Sequence, residues 1–374
     1  MREGFINEST RPNAVSVRSQ FARGNQKFQP LPTPTGNSPY HLRLEEVLSA
    51  TELDEIVNRQ RIIIDFLGDS GGIRDPVPQQ LVANALESNQ GDLLYHLGDV
   101  VYFYGQSKEY YPQFYEPYQH YSRPIFAIPG NHDGQTSNTD SEQSLEAFVR
   151  NFCAASSEIT PDAGDINKSP MIQPNVYWTL ETPYAIVIGM YTNVPQGGVV
   201  KEDQALWFEN ELTNAKNDTN HRAILVCLHH PVFSMDRHHS GSQAMLELLD
   251  TTFESSGVIP DAVLAGHVHN YQRFTRTLSN KKKVPYIVAG AGGYFNLHWM
   301  QSDVYSMQLP FKVPDRDDLV LEKYVDNHHG FMKFEIGRDK IVGNYYTVPN
   351  PHESWHASLV PTQVDHFEFQ LNQQ

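Results

Sequence analysis

Short apolar runs recur along this chain, and five of them end directly at a glycine or a histidine. Each run has the length of one buried strand and is rich in Ile, Leu, Val and Phe. A polar motif follows every one of them. The five predicted strands are RIIIDFL (residues 61–67), DLLYHL (92–97), PIFAIP (124–129), AILVCL (223–228) and DAVLA (261–265).

Helical stretches alternate with these strands. Residues 142–152 (EQSLEAFVRNF) and 202–215 (EDQALWFENELTNA) have helical character, and residues 41–60 (HLRLEEVLSATELDEIVNRQ) suggest a further helix. With 374 residues and 39% hydrophobic content, the chain can bury a large core. Alternating strands and helices over this length predict one α/β domain.

Two segments depart from the alternation. Residues 1–40 are polar, rich in Pro and Gly and without periodicity, which predicts an extended or disordered arm before a single domain at 41–374. Residues 134–174 are longer than a simple connection and have a polar middle. We expect them to form a lid or rim loop near the ends of the strands.

The polar motifs that follow the five strands carry the candidate chemistry. Because the ends of neighbouring strands lie along one rim of a sheet, we expect these side chains to gather there. Several fully specified motifs in one order are not a chance event. The motifs are Gly68-Asp69-Ser70-Gly71, Gly98-Asp99-Val100-Val101-Tyr102, Gly130-Asn131-His132-Asp133, Val226-Cys227-Leu228-His229 and Gly266-His267-Val268-His269.

The donor types in these motifs indicate a site for two metal ions. Carboxylate and amide oxygens together with imidazole nitrogens suit Fe, Mn or Zn, whereas cysteine-rich sets indicate structural zinc. Two ions about 3.5 to 4 Å apart can hold both the attacking and the leaving oxygen of an in-line phosphoryl displacement. The pattern therefore predicts a two-metal phosphoesterase site.

The motif set resembles the calcineurin-like metallophosphoesterase superfamily and, within it, the purple acid phosphatases, over roughly residues 60–350. Most of that superfamily has Asp-x-His at the first motif, but here Gly71 follows Asp69 and Ser70. Tyr102 matches the tyrosine of the Gly-Asp-x-x-Tyr motif of purple acid phosphatases, so the resemblance implies that Tyr102 supplies a ligand instead. The resemblance also implies a four-layer α/β/β/α sandwich.

The resemblance further implies which residue binds which ion. One ion takes Asp69, Asp99, Tyr102 and His269, and the other takes Asp99, Asn131, His229 and His267, so Asp99 bridges the two. The two aspartates, a Tyr102 phenolate and a bridging hydroxide carry about four negative charges, which favours a trivalent and a divalent ion together. We expect Fe³⁺ beside Fe²⁺, Zn²⁺ or Mn²⁺.

Three histidines outside the ligand set are candidates for substrate contact. In this family the position of His132 faces the substrate, where it can bind the phosphoryl group or protonate the leaving alkoxide. His238 and His239 resemble a substrate-contacting pair in plant purple acid phosphatases. The alternative is that the pair lies on a solvated loop without a role in the site, because a chain with 17 histidines also places some of them on its surface. His298 and Trp299 could line the pocket or lie on the surface.

Composition limits the partners. The net charge is −16, and the one basic cluster, Lys281–Lys283, falls in a predicted turn, so nucleic-acid binding is not expected. No apolar run has transmembrane length, and the first residues lack the apolar core of a signal peptide. Cys153 and Cys227 form no disulfide framework. A cytoplasmic or an exported location and any oligomeric state remain open.

Three functions fit these observations. The first is a phosphomonoesterase of purple acid phosphatase type, in which a metal-bound hydroxide attacks the phosphorus of a small phosphate ester. The second is a phosphodiesterase for cyclic nucleotides or phospholipid headgroups, which uses the same ions but needs room for a second ester group. The third is a catalytically silent binding module, which is disfavoured because every inferred ligand position holds a metal-binding residue type.

Overall fold

The computed structural model describes residues 29–136, 141–193, 198–353 and 360–371, and its strands form two sheets. The strands are β1 (His41–Arg43), β2 (Ile62–Leu67), β3 (Leu93–His96), β4 (Ile125–Ala127), β5 (Trp178–Glu181), β6 (Ala185–Gly189), β7 (Ala223–Leu228), β8 (Ala262–Ala265), β9 (Tyr271–Thr277), β10 (Lys283–Ala289), β11 (Phe311–Lys312), β12 (Leu319–Val325), β13 (Gly330–Ile336), β14 (Lys340–Thr347) and β15 (Thr362–Gln370).

The helices lie in the connections between these strands. The α-helices are α1 (Ala50–Arg59), α2 (Val77–Ser88), α3 (Asn131–Gly134), α4 (Glu146–Phe152), α5 (Glu202–Lys216) and α6 (Gln243–Ser256). No helix among the described residues has the length and apolar content needed to cross a bilayer.

Each sheet contains a run of parallel strands, in the middle of the larger sheet and at one end of the smaller. The larger sheet has the order β1-β5-β6-β7-β8-β10-β9-β12-β11, and its strands β6, β7, β8 and β10 are parallel. The smaller sheet has the order β15-β14-β13-β2-β3-β4, with β2, β3 and β4 parallel. Parallel neighbours direct their carboxyl ends to one edge, which is where ligands gather in α/β folds.

The core explains why the central strands read as continuous apolar runs. In β7, Leu225 and Cys227 face a core shared with the other sheet, whereas Ile224 and Val226 face a second group of buried residues that includes Phe208 of α5. Strand residues alternate in direction, so a strand that is covered on both faces needs apolar residues at every position. The predicted α/β class with two sheets and flanking helices is confirmed.

The five predicted strands all form, with ends that differ by no more than two residues. The helix predicted at 41–60 is only partly correct. Residues 41–43 instead pair with β5 as a parallel edge strand, and α1 begins after Ser49, whose side chain and that of Glu52 cap each other's backbone N–H groups. This reciprocal cap fixes the start of the helix nine residues later than expected.

The two segments that depart from the alternation are tied to the rest of the molecule where the structure describes them. Thr35 and Gly36 donate their backbone N–H groups to the Pro174 carbonyl, while residues 1–28 of the predicted arm lie outside the described residues. In the segment 134–174, Phe152 of α4 packs 5.0 Å from the Phe114 ring. The domain boundary at 41 and the lid role stay predictions.

Candidate metal centre

The polar motifs converge where the carboxyl edges of the two sheets meet. The smaller sheet contributes Asp69, Asp99 and Asn131 directly after β2, β3 and β4, and the larger sheet contributes His229 after β7 and His267 and His269 after β8. Backbone hydrogen bonds join these loops, because the Asp69 N–H donates to the Gly98 carbonyl at 2.9 Å and the Gly266 N–H to the His229 carbonyl at 3.1 Å.

Three residues of this rim have an uncommon backbone conformation. Asp69, Asp99 and His267 have φ angles of 58°, 54° and 67°, in the left-handed region that few residues other than glycine occupy. Such strain persists where surrounding contacts enforce it, and it concentrates at functional sites. Gly98 has φ 96°, and a Cβ there would lie 2.6 Å from the His229 Nδ1. The crowded backbone accounts for that glycine.

One group of donor atoms, which we call the tyrosine set, comprises Asp69, Tyr102 and His269. The Tyr102 hydroxyl lies 3.2 Å from the Asp69 Oδ1 and 3.3 Å from the His269 Nε2, and those last two atoms are 3.5 Å apart. The other oxygen of Asp69 accepts the His267 backbone N–H at 2.7 Å. All three side chains are buried or nearly so.

A second group, the asparagine set, comprises Asn131, His229 and His267, with Asp99 beside it. The Asn131 Oδ1 lies 3.1 Å from the His229 Nε2 and 3.0 Å from the His267 Nδ1. The Asp99 Oδ2 is 3.3 Å from the same His229 nitrogen. Ligand atoms of Asp99, His229 and His267 all lie within 4.8 Å of one another.

Backbone carbonyls fix the orientation of two of the histidines. The His229 Nδ1 is 2.8 Å from the Leu97 carbonyl and the His269 Nδ1 is 2.9 Å from the Asn296 carbonyl, so in each ring Nδ1 is the donor. The Nε2 lone pair of the neutral ring then points into the site. Metal-binding histidines in proteins usually donate their second N–H in this way.

Electrostatics favour a cation at both sets. Burial raises the pKa of the Tyr102 phenol well above its usual range, and the nearby charges of Asp69 and Asp99 add to that effect. Burial would lower the pKa of His229, but the adjacent Asp99 carboxylate outweighs it and raises that pKa to about 9. A cation among these groups would reverse both effects, favouring the phenolate and the neutral imidazole.

The spacing of the donors matches what one ion per set requires. Oxygen and nitrogen ligands of zinc and similar ions sit about 2.0 to 2.2 Å from the metal, so neighbouring ligand atoms at right angles are about 3 Å apart. The donors of the tyrosine set are 3.2 to 3.5 Å apart, and Asn131 is 3.0 to 3.1 Å from its two histidines. Both sets therefore fit a metal ion by donor type and by spacing.

His132 lies at the border of the two sets. Its backbone N–H donates to the Asp99 Oδ1 at 2.8 Å, and its ring is 4.4 Å from the Tyr102 ring. The His132 Nδ1 is 2.8 Å from the Phe103 carbonyl, which makes it the donor of that hydrogen bond. The side chain of His132 is half-buried, and its Nε2 atom can bind another partner.

The loop with His238 and His239 lies on the side of the asparagine set. The His239 ring is 4.7 Å from the His267 ring, and the His238 ring is 5.4 Å from that of His298. Both backbone N–H groups of the pair donate to the buried Asp236 carboxylate at 2.7 Å. His298 is buried and stacks on His269 at 4.1 Å, whereas Trp299 is 62% exposed.

Sequence reasoning left three residues that organise the site outside the candidate set. Asp133, which the sequence allows either as a carboxylate that orients a neighbouring ligand or as a turn residue, accepts the backbone N–H groups of Gly130, Val100 and Val101 and so joins two of the motif loops. Tyr294 stacks on Tyr102 at 4.0 Å. Asp236 holds the loop with His238 and His239 in place. The one sequence signal for its role is its position between the motif that ends at His229 and the motif that begins at Gly266.

The chain is similar to known phosphoesterases in sequence. The sequence model described as calcineurin-like phosphoesterase matches residues 62–271. Purple acid phosphatase 21 of Arabidopsis thaliana is 25% identical over 244 residues, which is 63% of this chain and 47% of that protein. Probable purple acid phosphatase 20 of the same plant is 32% identical over 127 residues, 32% of this chain and 28% of that protein. The chain thus spans about half, or less, of these relatives.

Solved structures share the fold at low identity. A purple acid phosphatase from yellow lupin seeds matches with a TM-score of 0.56 at 14% identity, over 83% of this chain and 54% of that one. The Plasmodium protein GAP50, described as an anchor in the inner membrane complex, matches with a TM-score of 0.52 at 15% identity, over 83% and 89%. With more than half of its length matched by the family model, and with the predicted motifs gathered at one rim, this chain belongs to the calcineurin-like phosphoesterase family.

Proposed function

We propose that the protein is a two-metal phosphatase that hydrolyses phosphomonoesters, as purple acid phosphatases do. In this proposal Asp69, Tyr102 and His269 hold one ion, Asn131, His229 and His267 hold the other, and Asp99 is shared between them. The observation that carries the proposal is the existence of two separate donor sets, each with the spacing of a single ion's ligands. When bound, two ions would supply positive charge and Lewis acidity to the phosphate oxygens.

The ligand chemistry suggests different ions at the two sets. Asp69 and a Tyr102 phenolate are hard anionic donors, which suit Fe³⁺. The neutral amide of Asn131 and the imidazoles of His229 and His267 suit Fe²⁺, Zn²⁺ or Mn²⁺.

His132 is the group that we assign to the leaving oxygen. Its Nδ1–H is occupied by the Phe103 carbonyl, so a protonated ring would present Nε2–H to the substrate. As a hydroxide forms its bond to phosphorus and the bond from phosphorus to the ester oxygen breaks, that ester oxygen would take the Nε2 proton, and the neutral ring would keep its hydrogen bond to Phe103. This transfer avoids expulsion of an unprotonated alkoxide.

His238 and His239 are assigned to the binding of the phosphoryl group. The hydrogen bonds from their backbone to Asp236 hold the loop beside His267. Imidazole N–H groups in this position could donate to phosphate oxygens that face away from the ions.

The fold alone does not establish catalysis, because GAP50 shares it and is described as an anchor. The ligand set of this chain supports the catalytic alternative, since all seven inferred positions hold metal-binding residue types.

Elemental analysis of freshly purified protein, paired with kinetics on mono- and diesters, tests the proposal. We expect two ions per chain and a higher kcat/KM for a phosphomonoester than for the diester with the same leaving group. A preference for diesters would favour the phosphodiesterase, and two bound ions without turnover of either class would favour a binding module. Protein that binds no transition metal after loading would refute the two-metal assignment itself.

A further inference from the structure

Beside the tyrosine set, Arg74 extends from the loop after β2 over two phenyl rings. Its guanidinium carbon lies 4.8 Å from the centre of the Phe103 ring and 5.6 Å from that of Phe295. Arginine stacks on aromatic faces by cation–π attraction, and a planar guanidinium held in this way loses little further freedom when it forms hydrogen bonds. The two rings therefore hold the Arg74 head group in place.

The position of these rings follows from the site itself. Phe103 comes directly after Tyr102, and its carbonyl accepts the His132 Nδ1–H at 2.8 Å. Phe295 comes directly after Tyr294, whose backbone N–H donates to the Asp69 carbonyl at 2.9 Å and whose ring stacks on Tyr102. Arg74 is thus separated from the tyrosine set and from His132 by a single layer of aromatic residues.

The charge of Arg74 meets aromatic rings but no anion in the described part of the chain. Among the described residues no carboxylate forms an ion pair with it, although Arg222, Arg273 and Arg276 each bind one or two carboxylates. The neighbouring Asp75 uses its Oδ1 to accept the Val77 backbone N–H at the start of α2. Arg74 is also exposed, in a chain whose net charge is −16.

We propose that Arg74, with Phe103 and Phe295, forms a subsite for a second anionic group of the substrate. The proposal rests on the proposed phosphatase function, and it narrows the substrate class to phosphate esters with a further phosphate or carboxylate beyond the reacting group. A guanidinium presents paired N–H donors whose spacing matches two oxygens of either anion. The subsite lies beside the tyrosine set, at the rings of Phe103 and Phe295.

Three substrates that differ only at the far end test this subsite. Hydroxypropyl phosphate ends in a neutral group, propanediol bisphosphate in a phosphate and phosphooxybutyrate in a carboxylate. We expect wild-type protein to prefer both anionic esters in kcat/KM, beyond the statistical factor of about two for the bisphosphate. Arg74→Gln should reduce that preference by about 10- to 100-fold, the value of charge-assisted hydrogen bonds.

Two further variants make the result specific. Arg74→Lys should keep part of the preference, because an ammonium retains the charge without the paired donors. Arg43→Gln removes the same charge from an exposed arginine in β1 and should leave the preference unchanged. Equal losses on the neutral and anionic esters in Arg74→Gln, or an unchanged preference, would overturn the proposal. Whichever of the two anionic esters loses more kcat/KM in Arg74→Gln carries the anionic group that the subsite prefers.

Calorimetric binding separates a failure of the subsite from a failure of the phosphatase. If wild-type protein hydrolyses none of the three esters, the proposed function fails. Binding of the bisphosphate relative to hydroxypropyl phosphate, in wild type and in Arg74→Gln, then decides the subsite alone. Tighter binding of the bisphosphate that Arg74→Gln abolishes supports the subsite, and equal affinities in wild type refute it.

Discussion

The two donor sets of the rim have nearly the same spacing but different charge. The tyrosine set has a carboxylate, a phenol that can ionise and one imidazole, with distances of 3.2 to 3.5 Å between its donor atoms. The asparagine set has a neutral amide and two imidazoles, with Asn131 3.0 to 3.1 Å from each. Asp99 brings a carboxylate to the asparagine set, with its Oδ2 3.3 Å from the His229 Nε2.

If two ions bind as proposed, this difference in ligand charge, and not a difference in spacing, would select a different ion at each set. The affinity order of divalent ions is much the same for most nitrogen and oxygen sites, so selection depends on ligand charge and hardness. The tyrosine set can offer two anionic donors of its own, whereas the asparagine set offers none. We therefore expect the ion of higher charge at the tyrosine set.

The largest effect is expected from Asp99→Asn, which removes the anion assigned to both sets. Turnover should fall by about 10⁴-fold or more, because both ions lose a charged ligand and the two-metal clamp is lost. Elemental analysis should show fewer than two ions per chain. Asp317→Asn, at a fully exposed aspartate, is the matched control and should keep both ions. Two tightly bound ions in the Asp99 variant would contradict the shared ligand.

The next largest effect is expected from His132→Ala, which tests whether catalysis also depends on a residue between the two sets. The variant should keep both ions and lose about 10² to 10⁴ in kcat with an alkyl phosphate. The loss should be much smaller with p-nitrophenyl phosphate, because that leaving group needs little protonation. His120→Ala, at an exposed histidine, serves as the control. Equal losses on both substrates would remove the general-acid role.

A direct test of the difference in charge pairs Tyr102→Phe with Asn131→Ala. Tyr102→Phe removes the ionisable phenol oxygen of the tyrosine set. Asn131→Ala removes the neutral amide oxygen of the asparagine set. With Fe³⁺ bound, the Tyr102 phenolate should give a visible charge-transfer band that Tyr102→Phe abolishes. Asn131→Ala should keep the band and weaken the second ion, by about 10- to 100-fold or more in affinity. Absorption spectra with metal titrations measure both effects, and a band that persists without Tyr102 would refute the assignment.

The contrast between motif residues and supporting residues explains how far the sequence could predict this molecule. Asp69, Asp99 and His229 follow apolar strands whose ends must meet at one rim, so pattern and chemistry both point to them. Tyr294 and Arg74 lie in loops without periodicity, where position depends on contacts between segments far apart in the chain. Nothing in the local sequence distinguishes Tyr294 from the other 18 tyrosines. The loops around the site therefore required the structure.

The helix predicted at 41–60 shows the same limit within a regular element. Its second half carries a local signal, the reciprocal cap of Ser49 and Glu52, and forms α1. Its first half pairs with β5, so residues 41–43 become a strand through a partner more than 130 residues away. Local pattern predicted the part of the segment whose interactions are local, and it failed where pairing is distant.

The smallest effect is expected from His238→Ala and His239→Ala, which test the flank of the asparagine set. Loss of one hydrogen bond to a phosphate oxygen should raise KM by about 3- to 10-fold, with kcat changed less. Ion content should stay at two per chain, because neither residue belongs to a donor set.

His352→Ala, at a side chain that is 78% exposed, is the control. The His239 change should be the larger of the two, since its ring lies 4.7 Å from that of His267, whereas the His238 ring lies 5.4 Å from that of His298, which is not an inferred ligand. An unchanged KM in both variants would mean that the loop is a solvated surface, and that substrate is held from the tyrosine side alone.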